Sequence, residues 1–353
     1  MRLQLTCVTV CLAASLPLAF GQTLLTLPEA SQRATISQRL GLTDITITYH
    51  RPLVNGRKVW GGLVPYDQVW RAGANENTVI SFSDPVSVEG EMIPKGNYGL
   101  HMIPGTDQWT IIFSKNSSAW GSFTYKQDED ALRVKVKPQA SEMHEALAYD
   151  FDDLKRDSAA VTMRWEKLAV PFHVSVNEKE LTMASLRDQL RGGMQYTWEG
   201  WAEAANYSLT NKVDLEQGLT WAGKAIGQEE RYDTLMLKAQ FLDALQRAGE
   251  AEPLRKRALE MANATQLYFY GRQLQLVQKK PQDAMEVFRQ TVQRYPQHWL
   301  GHMAQARLNS AAGDYDKAVA EMKAALAAGA PDQQQPGIAN YIKRLENKED
   351  INQ

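Results

Sequence analysis

The fold turns on residues 169–184, Ala169-Val170-Pro171-Phe172-His173-Val174-Ser175-Val176-Asn177-Glu178-Lys179-Glu180-Leu181-Thr182-Met183-Ala184, where one hydrophobic period gives way to another. Val170, Phe172, Val174 and Val176 occupy every second position, the pattern of a strand with one buried face. After the short charged link Asn177-Glu178-Lys179-Glu180, the apolar residues follow a helical period instead. The chain therefore reads as a β half followed by an α half.

Working back from this junction, the alternation recurs at Val161, Met163, Trp165; at Leu132, Val134, Val136; at Val86, Val88; at Ile45, Ile47, Tyr49; and at Ala34, Ile36. Reversal chemistry separates these runs, as in Glu89-Gly90, Pro94-Lys95-Gly96-Asn97 and Pro104-Gly105-Thr106-Asp107. The spacing predicts about nine or ten short strands. The gaps are too short for parallel crossovers, so an antiparallel sandwich or barrel is expected. Pro52 to Asn77 is the exception, a long connection without alternation.

Working forward, small residues recur at a fixed interval. Gly218, Ala251, Ala284 and Ala318 are 33, 33 and 34 residues apart, and Ala225, Ala258, Thr291 and Ala325 repeat those steps seven residues later. Seven residues are two helical turns, so both columns share one face and allow neighbouring helices to approach closely. The last unit is the clearest, with Trp299, Ala306, the turn Gly313-Asp314-Tyr315-Asp316-Lys317-Ala318, Ala325 and Pro331. From about Gln195 to Ala330 the chain resembles the tetratricopeptide repeat family. The resemblance implies a superhelical array whose concave surface takes up a peptide or protein.

The long connection resembles a second family. Gly56-Arg57, Trp60-Gly61-Gly62-Leu63-Val64-Pro65-Tyr66 and Val69-Trp70-Arg71-Ala72-Gly73-Ala74-Asn75-Glu76-Asn77-Thr78 fall in the order of the domain of unknown function 2911. Ile93 to Gly105, Trp109 to Phe113 and Trp120-Gly121 continue the match, which covers about Gln32 to Val174. This resemblance implies an exported bacterial protein in which such a domain is joined to helical repeats. It implies no activity.

At 353 residues, with 44% hydrophobic and 23% charged residues, the chain is long enough for two ordinary cores. Its 39 basic and 41 acidic residues leave a formal charge of −2, which argues against a nucleic-acid binder and against an electrostatic membrane anchor. Arg2, the apolar stretch Leu3 to Leu18 and Ala19-Phe20-Gly21 read as a secretory signal, so residues 1–21 are expected to be removed and the mature protein to be periplasmic or secreted in a bacterium. No membrane span is expected after that cleavage. Both cysteines, Cys7 and Cys11, lie inside the signal, which excludes thiol chemistry in the mature chain. The expected organisation is a signal peptide (1–21), a β-sandwich domain (22–180), a helical repeat domain (181–345) and a polar tail (346–353).

No catalytic signature is present: the chain lacks a Gly-x-Ser-x-Gly elbow, a His-Glu-x-x-His helix and a glycine-rich phosphate loop. No cofactor is implied and no catalytic residue is assigned. Arg57, Tyr66, Trp70, Arg71, Asn75, Glu76 and His101 are the ligand-binding candidates, because arginine forks grip anions, Asn and Glu add directional contacts and aromatic faces take a ring. Arg71 can instead pair with Asp67 or Glu76 to hold the loop. His101 is either a core or rim residue, or faces the loop as an acid–base group with Glu76 and Arg71. Trp60, Trp70, Trp109, Trp120 and Trp165 either build a sugar-stacking face or fill the core. His298 and His302 share a helical face, but no third ligand is evident and no metal site is assigned.

The reading that follows is an exported binding or scaffolding factor, with a β domain that recognises a ligand and a repeat groove that docks a polypeptide. The alternative is an envelope enzyme or small-ligand protein that takes a glycan or anionic metabolite at the Arg71 loop.

Overall fold

The structure, a computed structural model, describes residues 28–352. The predicted signal peptide and both cysteines lie outside the described residues. The chain divides into two compact units between Glu178 and Lys179. Among the described residues no helix is long and apolar enough to cross a membrane.

The first unit holds ten strands among the described residues. They are β1 (Gln32–Leu40), β2 (Thr43–Arg51), β3 (Val79–Phe82), β4 (Val86–Val88) and β5 (Glu91–Ile93), followed by β6 (Gly96–Ile103), β7 (Trp109–Ser114), β8 (Asp130–Val136), β9 (Gln139–Asp152) and β10 (Ser158–Ser175). One sheet runs β1-β2-β3-β6-β7-β8 and the other β5-β4-β10-β9, every neighbour antiparallel. Neither order returns to its first strand, so of the two expected architectures the unit adopts the sandwich and not the barrel. The inner faces meet at Tyr49 against Tyr149 and Phe113 against Phe172, with ring centroids 4.8 and 5.8 Å apart. This apolar layer supplies most of the unit's driving force.

Val161 to Trp165 and Val170 to Val174 were expected as separate strands, yet β10 carries both. The inward set changes from odd to even numbers because the pairing with β9 shifts register between Arg164 and Leu168, and Glu166 has a φ of 54°. A bulge adds a residue and exchanges the faces without ending the strand.

The second unit contains α1 (Glu178–Gln189), which begins one residue inside unit 1, followed by α2 (Trp198–Asn211), α3 (Leu215–Gln228), α4 (Tyr232–Ala244) and α5 (Ala248–Met261). It continues with α6 (Ala264–Leu276), α7 (Pro281–Arg294), α8 (Trp299–Ala311), α9 (Tyr315–Ala327) and α10 (Gln335–Glu346). The residues read as a charged link, 177–180, are thus already entering α1. The helices pack in successive pairs, α2 with α3, α4 with α5, α6 with α7 and α8 with α9, an arrangement like that of tetratricopeptide repeats. Both small-residue columns lie buried on the second helix of each pair. Thr291 fits its column because its hydroxyl donates to Val287 O at 2.8 Å, leaving no unsatisfied polar atom at the crossing.

Part of the predicted polar tail packs against the helices. Ile351 is buried, its N–H donates to Ser310 Oγ at 3.1 Å and its carbonyl accepts from Arg307 Nη1 at 2.8 Å. An apolar residue and a buried guanidinium in need of acceptors draw these last residues onto the helices.

Candidate functional site

The outer face of the six-stranded sheet carries a row of polar side chains. Arg33 on β1 pairs in register with His50 on β2, and His101 on β6 pairs through Ile112 with Arg133 on β8. Asn77, just ahead of β3, bridges the two halves of the row. Its Nδ2 and the Nε2 of His101 lie 2.8 and 3.2 Å from where a β-carbon on Gly99 would stand. Alternation places such residues away from the apolar core, yet His50, Asn77 and His101 are buried while Arg33 is exposed.

A cleft of about 740 Å³ opens on this face, lined among others by Glu29, Arg33, His50, Glu76, Asn77 and Ser118. His50 is buried; its Nε2 lies 3.1 Å from Glu29 Oε2 and 3.3 Å from Glu76 Oε2. Asn75 ties the cluster together, donating from Nδ2 to Glu29 Oε2 at 3.0 Å. Asn75 has a φ of 54°, a left-handed conformation that asparagine tolerates better than most residues and that turns the loop back over the sheet.

Arg71 lies one link away. Its Nη1 donates to Asn75 O at 2.6 Å, and its guanidinium lies 5.5 Å from the Trp120 ring centroid and 5.6 Å from that of Phe123. Neither Asp67 nor Glu76 pairs with it, and among the described residues it forms no ion pair. Burial lowers its pKa from the ordinary value. A β-carbon on Gly121 would come within 2.7 Å of Arg71 Nη1, so a residue without one leaves room for the guanidinium.

His101 is buried and its Nδ1 lies 3.1 Å from Ser122 Oγ. Its pKa is pushed down to about 4 by burial, with Asp130 opposing and Arg71 adding to the fall. The ring is therefore neutral near pH 7. The expected trio of His101, Glu76 and Arg71 is divided: His101 and Arg71 are electrostatic neighbours, whereas Glu76 directs its carboxylate to His50.

The remaining candidates hold the loop. Arg57 donates to the carbonyls of Leu53 and Val54, and Tyr66 packs over Gly61. Trp70 stacks on Trp165 at 5.8 Å, while Trp60 meets Trp70, Trp109 and Trp165 edge-on. Four of the five tryptophans thus face one another, which rules out a sugar platform built from all five; Trp120, 60% exposed, stacks with Phe123.

Sequence reasoning missed Glu29, His50 and Asn77. His50 had a signal, a histidine at the outward parity of β2 next to the inward Tyr49. Glu29 had none, since its partners His50 and Asn75 lie 21 and 46 positions away in the chain. In the helical unit, His298 and His302 do not share a ligand. His298 Nδ1 accepts from Leu300 N at the start of α8, and His302 Nδ1 lies 2.7 Å from Glu321.

The helical unit has a groove of about 540 Å³ on the first helices of three successive pairs. Ala202 of α2 and Met236 and Leu237 of α4 form its apolar floor, and Glu199, Glu203 and Asp233 line it without an ion pair among the described residues.

Residues 31–174 match the family described as Protein of unknown function (DUF2911). The DUF2911 region thus spans the sandwich from β1 almost to the end of β10; Arg71 and most of the cleft lining lie within it, whereas Glu29 lies just ahead of it. No curated protein matches the chain. Solved structures similar to it include the crystal structure of the APC/C hetero-tetramer Cut9-Hcn1, at 12% identity and a TM-score of 0.32 over 49% of this chain and 33% of that one. Another is the crystal structure of YrrB, a TPR protein with an unusual peptide-binding site, at 18% identity and a TM-score of 0.28 over 46% of this chain and 84% of that one. The chain spans about a third of the length of the first.

Proposed function

We propose that this protein is a binding factor whose helical unit docks a polypeptide segment carrying basic and apolar side chains. The acidic groove over Ala202, Met236 and Leu237 carries this reading. An apolar floor favours burial of a ligand side chain, and three carboxylates with no ion pair among the described residues favour a cation beside it. The test is a peptide panel of equal length in which Lys and Leu, Glu and Leu, or Ser and Leu alternate, titrated against the full mature chain. The Lys peptides should bind, more weakly as salt rises, and Glu203→Lys with Asp233→Lys should weaken them at least tenfold at unchanged circular dichroism. Equal binding of the Glu peptides, or no binding by any, would overturn the proposal.

Arg71, which forms no ion pair among the described residues, supports a second reading for the DUF2911 region, recognition of a small anionic ligand against the Trp120 and Phe123 rings. Succinate and inorganic phosphate are suitable probes. A response abolished by Arg71→Gln supports this reading, and one that survives the substitution refutes it. Export belongs to the proposal as well and rests on the apolar stretch within residues 1–21; cell fractionation with N-terminal sequencing checks it.

A further inference from the structure

We propose that Glu29, His50 and Glu76 bind a divalent first-row transition-metal ion of the zinc type in the cleft of the sandwich. One ligand atom from each lies within 4.8 Å of the others. A tetrahedral ion with bonds of about 2.0–2.1 Å needs ligand atoms roughly 3.3 Å apart. The Nε2 of His50 stands 3.1 and 3.3 Å from the two glutamate oxygens, which suits two edges of such a tetrahedron.

The electrostatics point the same way. Two carboxylates converge on a single imidazole nitrogen, which has at most one proton to offer them. The ring is buried, and among the described residues its Nδ1 has no partner while its Nε2 faces both carboxylates. A divalent ion at Nε2 meets both negative charges and fixes the ring's tautomer at once.

Independently of the three, Asn77 is 94% buried, as its 6% exposure shows, and its Oδ1 has no partner. Asn77 lines the same cleft and directly follows Glu76, and among the described residues its Oδ1 accepts from no donor. Three protein ligands leave a coordination position toward the open cleft, as at sites where the metal meets an exchangeable water or ligand. One imidazole with two carboxylates, and no thiolate, favours zinc, manganese or ferrous iron over cuprous ion.

The experiment uses the full mature chain, stripped with a chelator and titrated calorimetrically with Zn²⁺, Mn²⁺ and Mg²⁺, with Co²⁺ absorption as a report on a nitrogen ligand. One Zn²⁺ or Mn²⁺ per chain is expected, together with a rise in melting temperature of the β unit. His50→Gln and Glu76→Gln should each weaken binding at least 100-fold. Glu76 is half-exposed, so its variant tests the site even where His50→Gln impairs folding. Glu321→Gln, which alters the His302 pair in the other unit, should leave the stoichiometry unchanged. No uptake by the wild type, equal affinity in Glu76→Gln, or a preference for Mg²⁺ over Zn²⁺ and Mn²⁺ would each overturn the assignment.

Discussion

The edge of the Phe241 ring lies where a β-carbon on Gly218 would otherwise project, with Cε1 and Cζ both 2.5 Å from that position. The first small-residue column thus begins at a point where an α4 aromatic is seated directly on the backbone of α3. Alanine at 218 should improve helix propensity by about 1 kcal/mol, but it forces the ring and Ser208 to move. Gly218→Ala is expected to destabilise the helical unit by about 1–2 kcal/mol in urea unfolding. Gly223→Ala on the same helix, whose β-carbon would meet nothing closer than 3.7 Å, should stabilise it by about 0.5–1 kcal/mol.

His101 makes the β unit's stability depend on pH. Its folded pKa of about 4 lies below the unfolded value of 6.5, so between these limits the unfolded chain binds more protons. The contribution is fully present above pH 6.5 and is lost as pH falls toward 4, in total on the order of 3 kcal/mol. Unfolding measured at pH 7, 5.5 and 4.5 should show this slope in the wild type and a flatter one in His101→Gln. An imidazole resonance titrating near 6.5 in the folded protein would contradict the assignment.

The C-terminal residues hold the helical unit together. Arg307 is fully buried, donates from Nε to Tyr268 OH at 2.9 Å and reaches the Ile351 carbonyl. Ile351→Ala should therefore cost about 2–4 kcal/mol, as for a buried core residue. Val277→Ala, at a position 73% exposed, should change stability by less than about 0.5 kcal/mol. Denaturant midpoints of the two variants check the contrast.

Trp120 and Phe123 are exposed aromatics beside a half-buried cation. Trp120→Ala should lower stability by no more than about 1 kcal/mol, the scale of an exposed cation–π contact. It should also shift the Arg71 Nε–H resonance, because a ring current at 5.5 Å is removed. A large loss of stability would place Trp120 in the core instead.

Local periodicity settled much of this protein before any fold was seen. The change from period two to a helical period after Val176, the turns between strands and the spacing of Gly218, Ala251, Ala284 and Ala318 are short-range properties, because each reports which face of its own element is buried. The motif running from Gly56 to Thr78 was legible for the same reason, as a continuous string that matches a family. Arg71, Asn75 and Glu76 were singled out within that string and His101 in a later strand, and the fold gathers them along one sheet face.

Only the tertiary structure decided what those residues meet. Glu76 found His50 instead of His101, Arg71 found aromatic rings instead of a carboxylate, and Glu29 joined from beyond the start of β1. Four tryptophans turned inward as a cluster, and the final residues packed onto Arg307. The physical reason is that pairing across a sheet or between helices joins positions far apart in the chain. Alternation tells which face a side chain occupies, whereas register and loop path determine its neighbour on that face.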